Sequence, residues 1–131
     1  YLDHPPLFGL IVGAWAIARG ERTFESVSLG VIRFVPIMLA IISSLLLYLW
    51  GKRVYGEKVA LWSLAIYATG TLFAMNSRIV VAESLMTVFF LLALYIVSIL
   101  PKKSPVWQLL LLGVVCALAL LAKVLGVVVF F

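Results

Sequence analysis

Charge is scarce in this chain. Only 11% of its 131 residues are charged, 66% are hydrophobic, and the mean hydropathy is +1.25. A soluble globular domain carries about 25% charged residues. A chain this small also leaves too much surface exposed to hide that much apolar area in its own core. Both facts exclude an ordinary soluble domain and point to a membrane protein. Cysteine is nearly missing too. Cys116 stands alone in an apolar segment, so it makes no intramolecular disulfide and reads as core packing. The basic n-region of a signal peptide is absent from the first residues, which are acidic and proline-rich instead. Tyr1 replaces a start methionine and "VLGVVVFF" closes inside an apolar run, so the sequence is expected to be a piece of a longer chain. The net charge of +5 does not make a nucleic-acid partner, because the cations are scattered among helix ends rather than gathered on one face.

What is present is long apolar sequence. A spanning helix needs about 20 mostly apolar residues to cross roughly 30 Å of hydrocarbon. Residues 31–50, 59–75, 79–100 and 107–131 meet or approach that length, the second being the shortest. In lipid the backbone amides have no water partners, so all four are expected to be helical. The run at 7–18 is too short to span. It ends at Arg19, and it reads as a helix lying at the interface with Trp15 near headgroup level. The expected fold class is therefore all-α: a polytopic membrane protein of four transmembrane helices plus one short interfacial helix. Residues 1–30 form an outer loop that contains the helix 7–18.

The loops suggest an orientation. "GKRVYGEK" carries Lys52, Arg53 and Lys58, and "PKKSP" carries Lys102 and Lys103. Two spans separate them, so they share one side, and their lysine density suggests the cytoplasm. The opposite side carries Arg19, Arg22, Arg33 and Arg78. Gly113 and Ala117 form a small-xxx-small pair that suits close helix approach.

Depth then sorts the remaining charges. Arg33 opens the first span, and Arg78 lies in the outer connection "NSR". Glu83 is about 7.5 Å along the next helix from Arg78, and Lys123 is about 24 Å along the last helix from Trp107, at 1.5 Å per residue. Asp3 and His4 precede the first span on that same side. Asp3, His4, Arg33, Arg78, Glu83 and Lys123 are thus expected at one surface, although five separate segments supply them. Charges within membrane helices are costly and are usually functional or paired. Plainer readings exist for each. Arg33 and Arg78 suit lipid phosphates at helix ends, Lys123 can snorkel to the headgroups, and Glu83 can form a structural ion pair with Arg78 or Lys123. The sharper reading is chemical. Cations hold a phosphate or pyrophosphate at the membrane surface, and a carboxylate serves as general base or helps to hold a metal ion.

The motifs "YLDHPPLFG", "NSRIVVAESLMTVFFLLALY" and "GVVCALALLAKVLGVVV", in this order, resemble the membrane part of polyprenyl-phosphate-sugar glycosyltransferases. These are GT-C fold enzymes. The chain is most similar to the dolichyl-phosphate-mannose protein mannosyltransferases and their prokaryotic relatives, the aminoarabinose transferases of lipid A among them. The resemblance runs over nearly the whole chain. "DHPPL" is its most specific part, and "SR" followed by an acid five residues on is less so. It implies transfer, with inversion, of a sugar from a dolichyl- or undecaprenyl-phosphate carrier to a hydroxyl of a protein, lipid or glycan, as in protein glycosylation. Mannose, aminoarabinose, galactose and glucose donors share that carrier chemistry.

By the same resemblance Asp3 is an acidic active-site residue and His4 a phosphate-side or metal-side group. Arg78 and Lys123 are further phosphate contacts, and the depth argument adds Arg33 and Glu83 as substrate-binding candidates. A divalent metal ion is left open as cofactor, with Asp3 and His4 as candidate ligands. The family usually places its main catalytic carboxylate upstream of the "HPPL" motif. That acid is expected before Tyr1, and the 131 residues alone are expected to be inactive. The compartment implied is the outer face of a prokaryotic plasma membrane. The competing function is a transporter or flippase for an anionic or lipid-linked substrate. A transporter is expected to place its site near the bilayer midplane on broken helices, whereas these charges gather near one face.

Overall fold

The computed structural model describes residues 6–21, 23, 25, 27–70, 80–101 and 105–122. They form five helices: α1 Leu7–Ala18, α2 Leu29–Tyr55, α3 Glu57–Thr69, α4 Glu83–Ile99 and α5 Val106–Ala122. No strand occurs among the described residues.

Local sequence explains where the helices start and stop. α1 ends in "ARGE". Gly20 takes φ 89°, its N–H donates to the Ile17 carbonyl at 2.9 Å, and the Glu21 N–H donates to the Ala16 carbonyl at 3.0 Å. This pair of bonds around a left-handed glycine closes the helix and satisfies two of its last carbonyls. α2 begins at Ser28, whose Oγ accepts from the Val31 N–H at 3.3 Å, the bond expected of an N-capping serine. Pro36 lies inside α2 and is buried. Its ring removes the N–H that the Ile32 carbonyl would accept.

α2 runs five residues beyond Trp50, through Lys52 and Arg53, and the expected loop "GKRVYGEK" contracts to a turn at Gly56 with φ 90°. The reason is local. Lysine and arginine are good helix formers and favour the negative end of the helix dipole, and Gly56 adopts positive φ without strain. α4 begins at Glu83 rather than 79, with the acid in its first turn where the dipole favours it.

α2 is the centre of the assembly. α3 and α4 pack on it, α5 packs on α4, and α1 lies against α2 and α5. The α2–α3 contact is close because it is built from small residues. A Cβ added at Gly51 would stand 3.4 Å from the backbone and Cβ of Ala60, which is fully buried. Ala93, Ile96 and Val115 join α4 to α5.

The outward surface is apolar. Trp62, Ile66, Leu110 and Leu45 all lie open on it. A soluble monomer seldom exposes a continuous apolar patch of more than a few hundred Å², whereas a surface facing lipid consists of one. Among the described helices α2 alone is long and apolar enough to cross a membrane. Its 27 residues extend about 40 Å at 1.5 Å per residue. α4 and α5 each have 17 described residues, α3 has 13 and α1 has 12. Residues 71–75, 79 and 123–131 of the predicted spans lie outside the described residues.

Candidate functional site

One apolar cluster ties four helices together at one end of the assembly. It joins Phe8 of α1, Val35 and Leu39 of α2, Leu85 and Val88 of α4, and Ala122 of α5. Phe8, Val35 and Leu85 stand in the opening turns of their helices, and Ala122 is the last described residue of its own. The positive ends of three helix dipoles therefore share this end of the bundle.

Two predicted site residues belong to this end. Arg33 stands two residues before Val35, and Glu83 two before Leu85. Arg33 is exposed and has no ion pair or hydrogen bond to another described side chain. Glu83 is half-buried, and its backbone carbonyl accepts from Thr87 Oγ1 at 2.8 Å. The other four, Asp3, His4, Arg78 and Lys123, lie outside the described residues. Among the described residues no three His, Cys, Asp or Glu side chains gather as they would around a metal ion.

A stack of side chains reinforces the junction of α1 with α2. The Trp15 ring lies on Phe34 with centroids 4.7 Å apart and planes 14° from parallel. The Arg19 guanidinium sits over the other partner, 4.9 Å from the Trp15 ring centroid. An arginine over an indole face is drawn by the ring quadrupole. Arg19 did not stand out in the sequence, but a signal was there: Trp15 and Arg19 are four apart, the spacing that makes neighbours on a helix. The Trp15 Nε1 is buried without a hydrogen-bond acceptor among the described residues.

The described architecture is that of a helical membrane protein with a cation and a carboxylate brought to one end of its bundle. The chain belongs to the dolichyl-phosphate-mannose-protein mannosyltransferase family, whose profile matches residues 3–131. Membership makes a membrane glycosyltransferase the functional class it points to. No curated protein and no solved structure is matched.

Proposed function

We propose that this chain forms part of an integral-membrane GT-C glycosyltransferase that moves a sugar from a polyprenyl-phosphate carrier to a hydroxyl of a protein, lipid or glycan. The acceptor oxygen attacks the anomeric carbon from the face opposite the carrier. A carboxylate takes the hydroxyl proton, the bond from the anomeric carbon to the phosphate oxygen breaks, and the carrier phosphate leaves with the electron pair. Configuration at the anomeric carbon inverts.

Asp3 is the acidic residue at the reacting centre, and His4 faces the phosphate or a divalent metal. Arg33, Arg78 and Lys123 bind the carrier phosphate, whose negative charge increases as the bond breaks. Glu83 orients these cations or the acceptor. The observation that supports this reading is the convergence of Phe8, Val35, Leu85 and Ala122 in one cluster. Phe8 lies five residues after Asp3, and Lys123 follows Ala122 directly in the chain. The four apolar segments are spanning helices, and 7–18 lies along the outer interface. Lys52 and Lys102 lie on the cytoplasmic side of a prokaryotic plasma membrane.

The test uses the full-length protein, purified and supplied with a radiolabelled polyprenyl-phosphate sugar. Asp3→Asn and Arg78→Ala should each slow transfer about 10²-fold, the scale for removing one preorganised charge-stabilising group. Wild-type transfer by both variants would overturn the site. For topology, Lys52→Cys and Lys102→Cys should resist an impermeant thiol reagent added outside intact cells. Labelling at both would invert the orientation.

A further inference from the structure

We propose that the groove between α1 and α2 holds one acyl chain of an anionic glycerophospholipid, with Arg19 on the lipid phosphate. The groove measures about 390 Å³, and its walls include Ile11, Ala14, Trp15 and Ala18 of α1 and Phe34 and Met38 of α2. Every lining residue is apolar. It is the size of a single lipid tail rather than of a long polyprenyl chain.

Two observations fix the chemistry of the occupant. The first is charge. Arg19 follows the lining residue Ala18 and covers the lining residue Trp15. It is exposed. Arginine presents a planar donor fork that matches phosphate geometry. The second is depth. α1 is too short to span, so a tryptophan and an arginine at its C-terminal end belong at headgroup level.

The groove borders the cluster that gathers the helix ends, because Val35 and Leu39 belong to both. Its headgroup end is at Arg19, eleven residues from Phe8 and about 16 Å along α1. A lipid there acts as a fixed wedge between the interfacial helix and the spanning helix.

The test is native mass spectrometry of the full-length protein, delipidated and then mixed with phosphatidylglycerol, phosphatidylcholine or undecaprenyl phosphate. One phosphatidylglycerol should be retained per chain, and phosphatidylcholine should not. Arg19→Ala should weaken retention at least tenfold, and Ala14→Phe should abolish it by filling the groove from an exposed position. Should Ala14→Phe fail to fold, a second readout stands without it. Phosphatidylglycerol brominated on its acyl chain should quench tryptophan fluorescence in the wild type and quench less in Trp15→Phe. Equal retention of both phospholipids, unchanged retention in Arg19→Ala, or equal quenching in Trp15→Phe would overturn the proposal. So would displacement of phosphatidylglycerol by undecaprenyl phosphate at equal stoichiometry, which would make the groove the donor's own. These readouts require no sugar transfer, so they stand or fall apart from the proposed activity.

Discussion

The two ends of α2 are built on opposite terms. At its C-terminal end the polar groups serve one another. Lys52 Nζ lies 3.5 Å from Glu57 Oε1 and donates to Tyr48 Oη at 3.4 Å, and Tyr48 Oη donates to the same carboxylate. Arg53 Nε donates to the Ser98 carbonyl at 2.8 Å, which satisfies a group near the end of α4. Gly51 and Ala60 bring the two backbones close. At its N-terminal end Arg33 stands exposed and pairs with no other described side chain, and an apolar groove remains open between α1 and α2. A fold pairs its charges where its task is to stay together, and leaves a charge and space where it has to receive something.

The strongest way to break this contrast is to remove one cation from each end. Arg33→Ala should slow sugar transfer by the full-length enzyme about 10²-fold, while Arg53→Ala should leave the rate at the wild-type level. Equal losses would mean that Arg53 reaches the chemistry and that the two ends do not divide the work.

Packing offers a second comparison, read from thermal unfolding in detergent. Leu85 is 4% exposed in the cluster that joins four helices. Leu85→Ala leaves a cavity there and should cost about 2–5 kcal/mol. Gly51→Leu crowds the other end, where even a Cβ meets Ala60 at 3.4 Å, and should cost about 1–3 kcal/mol. The two should also differ in kind. Leu85→Ala should lower activity below the unfolding midpoint because it loosens the junction of α1, α2 and α4. Gly51→Leu should lower the midpoint alone.

These contrasts were only partly legible in the sequence. Helices could be read from the long apolar runs, because lipid permits a single helix no other way to satisfy its backbone. The short helix at 7–18 was legible from its length and from "ARG" at its end. The limits of α2 were not. Lys52 and Arg53 read as loop by charge, yet a helix terminus accommodates cations well, so polarity misplaced the boundary where Gly56 set it. For the site, depth counting along each run brought Arg33 and Glu83 to one end, because helical rise converts sequence distance into height. The same counting says nothing about rotation around the helix axis. That is why the Arg19–Trp15–Phe34 stack and the groove beside it needed the packed structure. Asp3, His4, Arg78 and Lys123, the rest of the predicted site, lie outside the described residues.

The smallest expected effects belong to the C-terminal end of α2, and they separate two bonds that look alike in a contact map. Arg53→Ala removes a charged donor from the Ser98 carbonyl, and that bond links helices 45 residues apart in sequence. Its loss should cost about 0.5–1.5 kcal/mol, the net scale of an ordinary hydrogen bond, because the site is exposed and water replaces part of what is lost. Glu57→Gln removes the acid from a pair whose side chains are 48% and 60% exposed. Water and salt screen such a pair, and holding two mobile side chains together offsets most of the gain. Its unfolding midpoint should match the wild type at high salt and fall only slightly at low salt. A large loss from Glu57→Gln that persists at high salt would show that the turn at Gly56 depends on this carboxylate. The two ends of α2 would then resemble each other more than their geometry suggests.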